Sequence, residues 1–188
     1  MMNRDPKNSI RILNNVVNGL YSSTISGQPE VPPVNTKDKV LRVAVGSDHG
    51  GYETKEKLKI YLQEIGYRVT DVGAYNTESV DYPDLALKVA LKVKHGDCER
   101  GIMIDGAGIG SSMVCNKVRG IRAALCYDLK TIINSREHND ANLLTLGGPL
   151  HPIEQICEMA KMWLETRFAG GRHWKRINKM MDIEKKYL

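Results

Sequence analysis

The sequence predicts an α/β fold: a three-layer, doubly wound sheet of five parallel strands in the order 2-1-3-4-5. Three observations predict it. From residue 39 onward, short apolar runs alternate with longer segments of helical periodicity. The runs lack the polar alternation of a half-exposed sheet, so each strand is expected to be covered on both faces. Two polar, glycine-bearing turns, Ser47-Asp48-His49-Gly50-Gly51 and Asp105-Gly106-Ala107-Gly108, follow the first and third runs. Right-handed crossovers place both turns at one carboxyl edge, where such sheets bind ligands.

Residues 1–21 form a separate unit. Ile10, Leu13, Val17 and Leu20 recur at helical spacing, Ile12 and Val16 widen the stripe, and Asp5-Pro6 suits a helix start. A helix this short needs a surface to lie on. A polar linker bearing Pro and Gly covers 22–38, and the main domain is expected over 39–188. Within it the strands are expected at 41–45, 68–72, 101–104, 121–126 and 142–146. The helices are expected at 52–65, 82–94, 111–117, 129–137, 152–166 and 172–185.

Composition narrows the function. The chain has 188 residues, 41% hydrophobic and 26% charged, as in an ordinary globular protein. The formal charge of +5 is scattered apart from a C-terminal group, and one Phe and two Trp offer little for base stacking. Nucleic acid is therefore not an expected partner; a small anionic substrate is. Cys98, Cys115, Cys126 and Cys157 form no C-x-x-C pair and have no histidine cluster at zinc spacing. They read as reduced thiols of a cytoplasmic protein without a metal. No apolar run approaches a membrane span, and the N-terminus lacks a secretory core.

The chemistry concentrates at Gly101–Ser112, where an apolar strand ends in Asp105 and glycines follow at 106, 108 and 110. Such a turn presents backbone N–H groups to an anion. A carboxylate beside an anion seat suits proton abstraction from carbon, with the amides holding the oxyanion. A plain corner with Asp105 as a helix cap fits equally well. Asp48-His49 at the first turn offers a proton carrier and a hydroxyl or phosphate ligand. Arg172 and Arg176, one helical turn apart, suit phosphate. Tyr82 could line the pocket, and Ser135–Asn142 by itself reads as a polar loop with a cationic helix end.

Taken together, these stretches resemble one family, the type B ribose-5-phosphate isomerases and their galactose-6-phosphate and allose-6-phosphate relatives. The resemblance rests on Gly46–Tyr52, Asp81-Tyr82-Pro83, Gly106–Gly110, Asn116–Ala123, Arg136–Asn142 and Gly170–His173, in family order. It implies a Rossmann/flavodoxin-like fold and a homodimer or homotetramer with shared active sites and an exchanged C-terminal helix. It implies a cofactor-free aldose–ketose isomerase working through a cis-enediolate. Carried over by position, His138 is the acid/base that opens the sugar ring and Asp48 binds the open chain. His49, Arg172 and Arg176 hold the phosphate, with Arg122 adding to them, and Asn139 contacts hydroxyls. The amides of Gly106, Ala107, Gly108, Ile109 and Gly110 hold the enediolate.

One departure stands out: Asp105 takes the place of the family's usual cysteine base, and Ala107 that of a Thr or Ser. Three accounts follow. Asp105 is itself the base for ribose 5-phosphate; or the substrate has shifted to a hexose 6-phosphate such as galactose or allose 6-phosphate; or the chain is a weak or inactive sugar-phosphate-binding subunit. The helix over residues 5–21 resembles the encapsulation peptides that carry enzymes into bacterial microcompartments. That resemblance implies shell proteins as partners and the compartment lumen as a location.

Overall fold

The computed structural model describes residues 40–188. The chain divides into two units, residues 1–38 and 39–188. The helix expected over 1–21 and the linker over 22–38 lie outside the described residues.

The second unit alternates strand and helix and closes on two successive helices. The strands are β1 (Arg42–Ser47), β2 (Arg68–Asp71), β3 (Arg100–Asp105), β4 (Ala123–Leu125) and β5 (Leu143–Gly147). The helices are α1 (Tyr52–Glu64), α2 (Tyr82–Lys94), α3 (Ile109–Cys115), α4 (Leu129–Glu137), α5 (Ile153–Glu165) and α6 (Arg172–Tyr187). All strand pairs are parallel. Val43, Val45, Ile102, Ile104, Leu144 and Leu146 point to one face, with Leu58, Leu62, Ile132, Ile156 and Trp163 from α1, α4 and α5. Ala44, Met103 and Leu143 point to the other, with Val89 of α2 and Cys115 of α3.

The strand order is β2-β1-β3-β5-β4, which corrects the expected 2-1-3-4-5. Burial explains the exchange. Every residue of β5 (Leu-Leu-Thr-Leu-Gly) is buried, as a strand covered on both faces and paired on both edges requires. The three residues of β4 (Ala-Ala-Leu) are only half-buried, so β4 takes the edge. The side chain of Asn116 partly covers that edge, accepting from Ala123 N–H at 2.9 Å and donating to Ala123 C=O at 2.9 Å.

Helix α6 stands apart from this packing, with only His173 and Ile177 buried. Trp174, Met180, Ile183 and Tyr187 are exposed along it.

Candidate functional site

The two turns meet as expected. Ser47 lies opposite Ile104 in the β1–β3 register, and Asp48 N–H donates to Ile104 C=O at 3.2 Å. The end of β1 is clamped on its other side, where Ser47 N–H donates to Gly73 C=O and Ala74 N–H to Ser47 C=O, each at 2.7 Å. These bonds carry β1 two residues past its expected end. Asp48 is 8% exposed, and its Oδ1 accepts Gly51 N–H at 2.9 Å, closing the turn into α1. His49 is exposed, its Nδ1 lying 3.3 Å from both the N and the O of Val80. Tyr82 opens α2 and lies over Gly110, where a Cβ would stand 2.5 Å from the phenol ring. Tyr82 therefore packs on the glycine loop, its ring occupying the place where a side chain on Gly110 would stand.

Asp105 is 5% exposed and turned into its own loop. Oδ1 accepts Ala107 N–H at 2.8 Å and Gly108 N–H. Oδ2 accepts Ser111 N–H at 3.2 Å and the Ser111 hydroxyl. Four donors on two oxygens leave this carboxylate no open lone pair. This is the helix-cap arrangement, in which neither oxygen of Asp105 presents the free lone pair that a proton acceptor offers to a C–H bond. The same geometry withdraws Ala107 and Gly108 N–H from the expected enediolate seat. It also starts α3 two residues earlier than expected, since the cap is supplied from outside the helix. Gly108 has φ +75°, and a Cβ there would strike Leu125 and the Leu146 backbone, so the loop admits only glycine.

A second group forms at the end of α4 and the start of α6. The rings of His138 and His173 stack at 4.3 Å and 8°. Asn139 Nδ2 donates to Asn134 Oδ1 at 3.2 Å, which turns the Asn134 amide nitrogen to His138 Nδ1 at 2.8 Å. His173 is 6% exposed, and its Nδ1 has no partner. Burial, the His138 ring and the guanidinium groups of Arg172 and Arg176 hold its pKa below the usual value. Both arginines are exposed.

Arg122, which the resemblance adds to the phosphate ligands, donates from its guanidinium to Asp140 C=O at 2.8 Å and to Asp140 Oδ2 at 2.8 Å. Arg136 holds the other carboxylate oxygen of Asp140 at 2.8 Å. Asp140 sits at φ +44°, so the two arginines fix the turn that presents His138 and Asn139.

No hydrogen bond or ring contact among the described residues links the first group to the second. Two contributors escaped sequence reasoning. His173 lay inside a motif whose arginines drew attention, and only the α4–α6 packing reveals the stack. Tyr127 donates its hydroxyl to Ala107 C=O at 2.8 Å, bracing the glycine loop from the turn after β4. Cys115 does not replace a lost thiol base: burial, with Asp105 beside it, pushes its pKa up to about 12. Among the described residues no group of His, Cys, Asp and Glu could hold a metal ion, and no helix is long and apolar enough to cross a membrane.

These features define a class first: a doubly wound α/β protein whose carboxyl edge pairs a carboxylate with backbone amides, and whose histidine–arginine cluster suits a small phosphorylated ligand. Comparison with known proteins then gives the family. The ribose/galactose isomerase family model matches residues 43–180. The solved structure of Clostridium thermocellum ribose-5-phosphate isomerase B is 48% identical with a TM-score of 0.77, covering 79% of this chain and 100% of that one. Ribose-5-phosphate isomerase B of Escherichia coli is 37% identical over 145 residues, 77% of this chain and 97% of its own. D-erythrulose-4-phosphate isomerase of Pectobacterium atrosepticum is 37% identical over 142 residues, 75% of this chain and 93% of its own. The chain belongs to the ribose/galactose isomerase family.

Proposed function

We propose that this protein interconverts ribose 5-phosphate and ribulose 5-phosphate through a cis-enediolate. The observation that carries the reading is the pair of half-sites: Asp48 beside the glycine loop in one, His138 beside Arg172 and Arg176 in the other. His138, as acid and base in turn, moves the anomeric hydroxyl proton to the ring oxygen as the sugar opens, and Asn139 orients the hydroxyls. Arg172, Arg176 and His49 take the phosphate, because paired guanidinium forks match its oxygens. Loop amides not committed to Asp105 receive the negative oxygen of the enediolate. Asp105 contributes by holding that loop.

The two half-sites belong to one reaction, so a second copy of the chain completes the site in this reading. Helix α6 supports it, since it bears Arg172 and Arg176 and leaves Trp174, Ile183 and Tyr187 uncovered.

The relative named for D-erythrulose 4-phosphate favours a second reading, in which a shorter sugar phosphate is the substrate. Coupled assays on ribose, erythrose, allose and galactose phosphates separate the two. The ribose reading expects the highest kcat/KM for ribose 5-phosphate, and a higher value for another aldose replaces it. Binding of phosphate without turnover of any of them would make the chain a binding subunit. For residues 5–21 we propose docking on a hydrophobic groove of a microcompartment shell protein. A chain lacking residues 1–21 then keeps its turnover and no longer co-purifies with shells; loss of folding would place that segment on its own domain instead.

A further inference from the structure

We propose that Asp48, not Asp105, moves the proton between the two reacting carbons, which sit over Gly50. The assignment rests on the isomerase reading and names its base. The two facing turns after β1 and at the end of β3 each carry a carboxylate, Asp48 and Asp105, and they differ in what they have left to offer. Asp105 accepts from Ala107, Gly108 and twice from Ser111. Asp48 accepts one bond, from Gly51 N–H to Oδ1, and its Oδ2 has no donor among the described residues. That Oδ2 is also not a sealed-off orphan, unlike the hydroxyls of neighbouring Ser47 and of Thr145. A carboxylate with one oxygen held and one open is oriented and still basic.

The space over Gly50 has the contacts a substrate carbon needs. A Cβ built on Gly50 would lie 3.4 Å from Asp48 Oδ1, 4.0 Å from Oδ2 and 3.9 Å from Gly106 N, so the carboxylate and the amide border the same space. Base and oxyanion donor thus face one region, which the absence of a side chain on Gly50 keeps open. His49, the adjacent titratable group, is anchored to Val80.

The chemistry balances. Asp48 Oδ2 takes the proton from C2 of the open-chain aldose. The C–H pair becomes the C1=C2 bond, and the carbonyl pair moves to O1, which the Gly106 amide receives. The hydroxyl proton passes from O2 to O1, and the protonated Asp48 returns its proton to C1. A ketose results, with no oxidant or reductant consumed.

The test compares Asp48→Asn, Gly50→Ala and Asp105→Asn with the wild-type protein on the aldose phosphate it turns over fastest, in H2O and D2O. Asp48→Asn is expected to lower kcat by about 10²–10⁴-fold and abolish deuterium uptake at C1 of the ketose. KM and competitive inhibition by inorganic phosphate stay within a few-fold of wild type, because the phosphate ligands are untouched. Gly50→Ala, whose added methyl meets no atom beyond its chain neighbours closer than 3.4 Å, folds normally and lowers kcat/KM by crowding the space between the Asp48 carboxylate and the Gly106 amide. Asp105→Asn retains more than about a tenth of kcat. Three results would overturn the assignment: Asp48→Asn keeping kcat within tenfold, Asp48→Asn raising KM alone, or Asp105→Asn losing deuterium uptake while it folds and binds phosphate. A wild-type protein that converts no aldose phosphate defeats the isomerase reading and the assignment together; wild-type turnover with an unimpaired Asp48→Asn defeats the assignment alone.

Discussion

Asp105 and His173 show what a residue's neighbours decide and its letter does not. An acidic residue at the end of β3 is compatible with capping and with catalysis. The vote belongs to Ser111, six positions on, whose N–H and hydroxyl both reach Oδ2. The sequence contains that serine, but not the fold of the loop that brings it back. The place of Asp48 at the carboxyl edge, by contrast, was legible from its turn and strand position alone. His173 leads to a test in pH. Its folded pKa lies below the unfolded value of about 6.5, so the unfolded chain binds the proton more tightly. The stability due to neutral His173 is complete above the unfolded pKa and is lost as pH falls below it. The melting temperature should therefore fall from pH 7.5 to pH 5.5, and fall less in His173→Gln. Equal slopes in the two proteins would remove His173 as the source.

At the level of elements, periodicity placed every strand and helix of the described domain to within a few residues, because burial on a 3.6-residue or continuous pattern is local information. Strand order is not local: the expected 2-1-3-4-5 pairs β3 with β4 and leaves β5 at the edge, whereas leucine-rich β5 pairs with β3 and β4 takes the edge. The link between α1 and β2 was equally invisible. Lys55 reads as a solvated helix position, yet it is 0% exposed and its ammonium lies 2.8 Å from both Asp71 oxygens and 2.7 Å from Glu56. Asp71 Oδ1 also accepts Gly73 N–H at 2.9 Å, and Gly73 C=O clamps Ser47, next to Asp48. The lysine thus steadies the carboxyl edge of the sheet. Burial alone would raise the Asp71 pKa, but hydrogen bonds from Lys55 and Lys59 carry it below the usual carboxylate value. The two partners should not be equivalent. Asp71→Asn leaves a fully buried ammonium with Glu56 alone, at a cost of about 3–5 kcal/mol. Lys55→Met removes the buried charge and leaves Asp71, whose side chain is 19% exposed, paired with Lys59; about 1–2 kcal/mol should be lost. Urea unfolding of the two variants measures the order, and Lys55→Met being the weaker protein would contradict it.

For the whole molecule, the division of the site into two groups makes a prediction that no single-chain site shares. If each active site takes Asp48 from one subunit and His138 from its partner, an Asp48→Asn homodimer and a His138→Asn homodimer are each dead at both sites. A dimer with one subunit of each kind is different. One of its sites collects both substitutions, and the other collects none. Random reassortment makes half the dimers mixed, each with one intact site of two, so the mixture should recover about a quarter of wild-type activity. Denaturing the two inactive variants together and refolding them supplies the mixture, and size-exclusion chromatography confirms that dimers have re-formed. Recovery would come with a wild-type KM, because the surviving site is unaltered. A site contained within one chain gives no recovery at all, since every subunit in the mixture then carries a defect of its own. Shortening the chain before α6 should abolish both dimer and activity, because that helix carries Arg172 and Arg176 on the same segment that leaves Trp174, Ile183 and Tyr187 uncovered. Association and phosphate binding are in this way tied to one element, and a chain that stays dimeric without it would separate them.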